Sequence, residues 1–316
     1  MEEGGLIIAG AQIQLRSIGR VCRWAYITFG PCIAGDDPLV EQVLMTEIKD
    51  FLGRQGVLYL LVQLPYDAHR FAGRLRESGF IRPPQALAPF YMQATLVLDL
   101  AKTEERLMAE MRHSTRHQVR QGLKRGVTVA QGNERDLDFL WELMQALCAR
   151  RKTTPNPSHP DFFHLLWRRF APRGWINLFL AKYQGKPVAA TLAFPFGNWF
   201  RVWKIGWSGE HAELRPNQLL WWEMIRHARS KGYRHFDFVN LEPAQPGNST
   251  AADPQLSSPD GPTAFKLGFG GTITTLPGAY CYFISPLARA GTRIGLIRLL
   301  NSKTSVSLAK TVWGRR

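Results

Sequence analysis

The 316-residue sequence predicts an α+β fold, with two domains of mixed, mainly antiparallel sheet flanked by helices. Three observations carry that expectation. A strand–turn–strand–turn–strand–helix–strand unit reads from Leu178 to Val239, and a looser series of the same design reads from Leu6 to Leu98 without measurable identity to it. A hydrophobic content of 45%, with 11% aromatic residues, excludes a largely disordered chain. The length suits one or two cores of roughly 100–200 residues each.

In chain order, Leu6–Arg16 alternates loosely as a strand, and Trp24–Thr28 reads as another, ended by Gly30-Pro31. Val40, Val43, Leu44, Ile48 and Phe51 recur at helical spacing within 38–53. Val57–Leu64 is an apolar run bounded by Gly56 and Pro65, as a buried strand would be. A helix over 67–78, stopped at Gly79, and a strand over 91–98 complete the series. From Thr103 a single helix is expected to run to about Arg125, with Val119 and Leu123 on its buried side. A helix over 134–151 turns Phe139, Leu140, Leu143, Met144 and Leu147 inward, and a proline-punctuated loop over 152–161 leads to a short helix over 162–170.

In the organising unit, strands over 178–183, 188–196 and 199–206 are separated by turns at Gly185 and Gly197. Pro216-Asn217 opens a helix carrying Leu219, Leu220, Met224, Ile225 and Ala228, Gly232 stands where its C-cap belongs, and Tyr233–Val239 reads as a strand. Residues 241–261 form a long Pro/Ser/Gly-rich loop, of the kind that serves as a lid or binding loop. After it comes Phe-Lys-Leu-Gly-Phe-Gly-Gly at 265–271. A strand over 272–276 follows those glycines where a phosphate cradle would need a helix, so a dinucleotide reading is weak.

The net charge of +15 favours polyanionic partners: nucleic acid, an anionic membrane face or phosphorylated substrates. No acidic residue occurs after Asp260, and the basic, apolar-interleaved stretch 285–316 suits a membrane surface or an RNA backbone. Cys22, Cys32, Cys148 and Cys281 lack a CxxC pair or zinc spacing and read as buried, reduced thiols of a cytosolic protein. The opening residues carry no signal-peptide pattern, and no apolar run reaches the roughly 18 residues of a membrane span. Arg112, Arg116 and Arg120 fall four apart, so like charges stack on one helix face, an arrangement that a bound anion would relieve.

The order of strands and helix in the organising unit is that of a GNAT-type acyltransferase core. Four pieces, YITFGP at 26–31, RHSTRHQVRQGLKRGVTV at 112–129, RPNQLLWWEMIRHARSKGYRHFDF at 215–238 and FKLGFGG at 265–271, resemble the Fem-type (FemABX) aminoacyltransferases in order and spacing over nearly the whole chain. The resemblance implies two GNAT-like domains, 1–98 completed by 278–316, and 99–277. It implies a cytoplasmic enzyme that forms a peptide bond, taking an amino acid from aminoacyl-tRNA to an amine of a peptidoglycan precursor. No metal or cofactor is implied. Lys266 matches the family's functional lysine and is expected to stabilise the oxyanion or the tRNA 3′ end. Phe265, Tyr26, Lys204, Arg215, Asn217 and Asp237 are the expected substrate-binding residues, and Arg112, Arg116, Arg120 and Lys124 the tRNA-binding ones. Asp237 has no evident neutralising partner in sequence and is paired provisionally with Lys204 or His235.

Two features refine this. The turn ahead of the 216–230 helix, Glu213-Leu214-Arg215-Pro216-Asn217-Gln218, has no glycine and includes a proline, which disfavours the amide grip on pyrophosphate that a CoA donor needs. Where family members that hold a nucleotide-linked precursor carry an arginine shortly before the aromatic pair, here Phe162-Phe163, this chain has Asn156-Pro157-Ser158-His159-Pro160. That departure shifts weight to a lipid-linked acceptor or another amine. A GNAT-like N-acyltransferase with a non-tRNA donor, acting on a polysaccharide or natural-product amine, stays open, as does a non-catalytic RNA- or membrane-binding relative.

Overall fold

In the computed structural model, residues 1–18, 22–84, 92–241 and 261–293 are described. The chain divides into two compact units, Met1–Gln93 with Thr275–Arg315, and Ala94–Thr274. After short strand pairs near the amino end, the elements run β1 (Gln14–Ile18), β2 (Cys22–Thr28), α1 (Pro38–Arg54), β3 (Val57–Gln63), α2 (His69–Glu77), β4 (Ala94–Asp99), α3 (Glu104–Glu110) and α4 (His113–Lys124). They continue with β5 (Thr128–Gln131), α5 (Leu137–Arg150), α6 (Asp161–Phe170), β6 (Asn177–Tyr183), β7 (Lys186–Phe196), β8 (Trp199–Trp207), α7 (Pro216–Ser230) and β9 (His235–Asp237). Last come α8 (Pro262–Leu267), β10 (Thr272–Thr275), β11 (Ala279–Phe283) and α9 (Pro286–Arg293).

The first unit holds a four-stranded sheet in the order β11–β3–β2–β1. β2 and β3 are parallel, while β11 joins β3 and β1 joins β2 antiparallel. Asp37 caps α1 through the Leu39 amide at 2.8 Å, and Pro38 sits at its first position, where a missing N–H costs nothing. Leu44, Met45, Ile48 and Leu52 of α1 and Phe71, Ala72 and Leu75 of α2 share a core with Leu60 and Val62 of β3. The buried Glu41 is bonded to Arg74, tying α1 to α2. The strand expected over 6–16 is broken here into two-residue pieces before β1.

The second unit is built on a seven-stranded sheet in the order β10–β4–β9–β8–β7–β6–β5. Successive strand residues face opposite sides. Phe179, Ala181, Ala189 and Ala193 meet Leu219, Leu220, Met224 and Ile225 of α7 on one face. Leu178, Leu180, Ala190 and Leu192 meet Leu140, Leu143 and Met144 of α5 and Phe163 of α6 on the other. The register of β7 and β8 shifts between Leu192 and Ala193, whose partners are Lys204 and Val202, so Trp203 is an extra residue on β8.

Several expectations are corrected. The helix from Thr103 is two helices, because Met111 and Arg112 are extended (ψ 148° and 142°) and the Arg112 amide bonds the Gly268 carbonyl at 2.9 Å. The buried stripe of α4 is Thr115, Val119 and Gly122, which leaves Leu123 66% exposed. On α5 the stripe runs through Leu137, Leu140, Leu143, Met144 and Leu147, and Phe139 lies off it, exposed. The strand read over 233–239 is limited to His235–Asp237. Cys281 is buried, with its thiol pushed up to about 12 by burial, but Cys148 is half-buried and Cys32 exposed. The loop expected over 242–260 and the tail beyond 293 lie outside the described residues.

Candidate functional site

The site forms where β8 and β9 part. Their parallel pairing spans Trp199↔His235 to Arg201↔Asp237 and stops there. Beyond Asp237 the chain keeps its bonds to β4, through Phe238 N to Leu96 O and Leu241 N to Ala94 O, while β8 runs on to Trp207. At the parting point Asp237 is fully buried. Its carboxylate accepts from Arg201 Nε at 2.8 Å, Thr95 Oγ1 at 2.5 Å and the Val239 amide at 2.8 Å. The partner of Asp237 is therefore Arg201, its register neighbour, in place of Lys204 or His235.

The Val239 amide bond shapes the next turn. Val239 and Asn240 both adopt left-handed backbone, with φ of 53° and 52°, a conformation uncommon for non-glycine residues and especially for a β-branched one. Their carbonyls receive the Lys266 ammonium, a short contact from Val239 and one of 2.6 Å from Asn240. Lys266 stands on the short helix α8, where a loop was expected. Phe265 beside it packs edge-on to the buried Trp221 of α7 (5.1 Å between centroids, 89°) and against Phe269 (5.4 Å).

The glycines of the 265–271 motif serve close backbone approach. A Cβ on Gly268 would fall 2.2 Å from Thr115 Oγ1, and Gly270 and Gly271, at φ +80° and +96°, would place one 2.8 Å from the Glu110 carbonyl and 2.7 Å from that of Val97. They lock α8 to the α3–α4 break and to β4. They hold the lysine's helix and form no phosphate cradle.

A cavity of about 270 Å³ opens beside this helix, lined by Arg112, Ser114, Thr115 and Gln118 from the start of α4, Gln218 from α7, and Gly261, Ala264 and Phe265. Of the expected tRNA residues, Arg112 borders the cavity and Arg120 and Lys124 are exposed on α4. Arg116 is turned inward on the protein and donates to the carbonyls of Met108 and Ala109 at 3.4 and 3.2 Å, closing the end of α3. Gln118, Thr115 and Gln218 were missed in sequence, where short polar residues inside a helix carry no distinguishing signal.

Arg215 caps α7 at φ +56°, and its Nε is buried without a hydrogen bond among the described residues. The Leu214 and Arg215 amides are bonded to the carbonyls of His211 and Ala212, and Pro216 has none to offer. Asn217 is half-buried in the first turn of α7. Lys204 shares its sheet face with Trp203 because of the β8 bulge, and its Nζ lies 4.8 Å from that ring. Burial holds the Lys204 amine below the ordinary lysine range. Tyr26 belongs to the first unit, where its hydroxyl bonds Gln63 Oε1 at 3.1 Å and burial raises its pKa.

Residues 109–248 match the family described as an acetyltransferase (GNAT) domain. That match lies wholly within the second unit. The chain as a whole takes the fold of FemX, with a TM-score of 0.74 over 96% of this chain and 89% of that one, at 16% identity. It also aligns with the C-terminal domain of a putative lysylphosphatidylglycerol synthetase from Agrobacterium fabrum (TM-score 0.57, 14% identity, 93% and 87% covered). A tandem GNAT protein from the clavulanic acid biosynthesis pathway aligns at a TM-score of 0.54 (11% identity, 90% and 82% covered). No curated protein matches the chain in sequence at a significant level. Within the second unit, Lys266, Phe265, Asp237 and Arg112 are brought to one region, and Phe265 and Lys266 stand beyond the matched residues 109–248. Among the described residues no three His, Cys, Asp or Glu side chains are grouped as metal ligands, and no helix is long and apolar enough to cross a membrane.

Proposed function

We propose that the protein forms a peptide bond, moving an aminoacyl group from aminoacyl-tRNA to an amine of a peptidoglycan precursor at the Lys266 site. The observation that carries this reading is the fixed ammonium of Lys266, pinned on two carbonyls where β8 and β9 diverge. The unprotonated acceptor amine attacks the ester carbonyl carbon. As the C–N bond forms and the C–O bond to ribose breaks, the amine proton passes to the ribose oxygen. A cation held in place beforehand stabilises the intervening oxyanion without reorganising, and one such donor is worth about 3–4 kcal/mol.

The surface and the turn before α7 support a tRNA donor. Two amides of that turn are used internally and a third position is proline, so it offers little to a pyrophosphate, which weighs against CoA. Exposed Arg112, Arg120 and Lys124 border or extend from the cavity and suit a phosphate backbone. The FemX fold and the Fem-type motifs support aminoacyl transfer in particular. A tRNA donor places the reaction in the cytoplasm, and a lipid-linked acceptor would place it at the inner membrane face.

Purified protein incubated with charged total tRNA and lipid-linked or nucleotide-linked muropeptides tests the reading. A labelled amino acid should leave tRNA and appear on the acceptor, and Lys266→Ala should lower the rate about 10²–10³-fold with the fold intact. If no amino acid moves to any acceptor, the aminoacyl reading fails. If Lys266→Ala turns over like the parent, the role of Lys266 fails.

A further inference from the structure

On the second unit, away from the Lys266 cavity in sequence and on the α5–α6 side of the sheet, aromatic rings run in an unbroken series. Phe162 lies 6.5 Å from Trp203, Trp203 5.3 Å from Phe194, Phe194 5.7 Å from Phe170, Phe170 6.4 Å from Trp175, and Trp175 5.4 Å from Phe196. Inner members of the series support outer ones that face solvent. Phe196 is 66% exposed, Leu165 49%, Phe162 43%, Trp175 38% and Trp203 37%. Phe196 stands at the tip of the β7–β8 hairpin, just before Gly197-Asn198, and Phe162, Leu165 and Arg169 form the outward row of α6. A connected exposed apolar surface of this kind marks an interaction site.

The charge of the stretch that forms it is positive, with Asp161 just before it and Asp138 of α5 against His164 of α6 at one end. From Phe162 to Gly209 the chain has seven Lys and Arg and no acidic residue. Arg168 and Arg201 are paired with Glu134 and Asp237, while Arg169 and Arg173 are exposed. Both exposed tryptophans are covered by cations from this same stretch, Lys204 at 4.8 Å from the Trp203 ring and Arg173 at 5.4 Å from that of Trp175. Stacked bases would need those ring faces open, so single-stranded nucleic acid is disfavoured. An aromatic and aliphatic edge fringed by arginine matches the boundary between headgroups and acyl chains instead.

We infer that this face docks on an anionic lipid bilayer, with Phe162, Leu165, Phe196 and the tryptophan edges entering the interface and Arg169 and Arg173 meeting headgroup phosphates. The docking does not depend on the identity of the transferred group, so it is measured without turnover. The full chain is sedimented at about 0.15 M salt with vesicles of phosphatidylcholine alone, or with about one-third phosphatidylglycerol. The parent should pellet with the anionic vesicles and much less with the neutral ones. Leu165→Ser/Phe196→Ser, at exposed positions and with unchanged near-ultraviolet circular dichroism, should partition at least about tenfold less. Arg169→Gln/Arg173→Gln should lose several-fold on anionic vesicles only. The inference is overturned if the parent stays in solution with both vesicle types. It is overturned equally if the apolar double variant pellets like the parent, which would assign binding to cations elsewhere, or if that variant loses tRNA binding while vesicle binding is unchanged.

Discussion

Replacing Arg201 by Met tests whether the parting point of β8 and β9 is held as described. Asp237 is fully buried and its carboxylate has Arg201 Nε at 2.8 Å, with Thr95 and the Val239 amide as further donors. Removing one partner of a buried pair costs about 3–5 kcal/mol, because the remaining charge is stranded. The Arg201 side chain is 32% exposed, so water shares its interaction, and about 2–3 kcal/mol is the reasonable expectation. For a unit spanning Ala94–Thr274, each kcal/mol moves the melting temperature about 2–4 °C. Arg201→Met should therefore lower the transition of this unit by about 4–12 °C. Scanning calorimetry suits the measurement, since the two units need not melt together. Adding Asp237→Asn to Arg201→Met should restore part of the loss, because the amide oxygen can still accept from Thr95 and Val239 while no charge is left buried. A shift under about 2 °C for Arg201→Met, or a further fall on adding Asp237→Asn, would refute the reasoning.

Two more predictions concern the basic residues of α4 and the half-buried Lys204 of β8. Replacing Arg112, Arg120 and Lys124 by Gln, and leaving Arg116 because it closes α3, should flatten the log–log salt dependence of tRNA binding by about 2–3 units; an unchanged slope would make them a merely solvated face. Burial lowers the folded-state pKa of Lys204 below its unfolded value of 10.5, so between those two values the unfolded chain binds more protons and stability rises with pH. Lys204→Met should remove that rise and leave the protein no less stable at neutral pH. Urea midpoints taken between neutrality and the unfolded-state value would check it, and an identical pH dependence in parent and variant would exclude Lys204 as its source.

How much was legible in the sequence depended on the range of the interaction responsible. The hairpins of β6, β7 and β8 were placed to within two residues, because each strand is buried, bounded by a turn, and patterned by its own residues. The FemX likeness was legible from four spaced motifs, and the GNAT domain from its strand and helix order. The break between α3 and α4 was not, since no proline or glycine marks it. It is set by a bond from Arg112 to Gly268, far along the chain. The partner of Asp237 was hidden for a similar reason. Arg201 meets it only through the register of two parallel strands, which neither strand encodes by itself. Lys266 was picked out by its motif, but the two left-handed residues that hold it, Val239 and Asn240, carry no glycine to announce them.

The strand that completes the first unit has a bearing on how the chain is made. β11 lies at the edge of that sheet against β3, and its Tyr280 joins the core of α1 and α2. An amino-terminal domain would ordinarily fold as it leaves the ribosome. Here residues 57–63 must wait, unpaired along one side, until residues 279–283 have been translated. Throughout that interval the nascent chain presents the open edge of an almost wholly apolar strand, the kind of edge that recruits strangers. Premature termination between the second unit's last strand and Ala279 would therefore damage the opposite end of the sequence. The affected product would fail through aggregation of its beginning, with its acyltransferase domain already made.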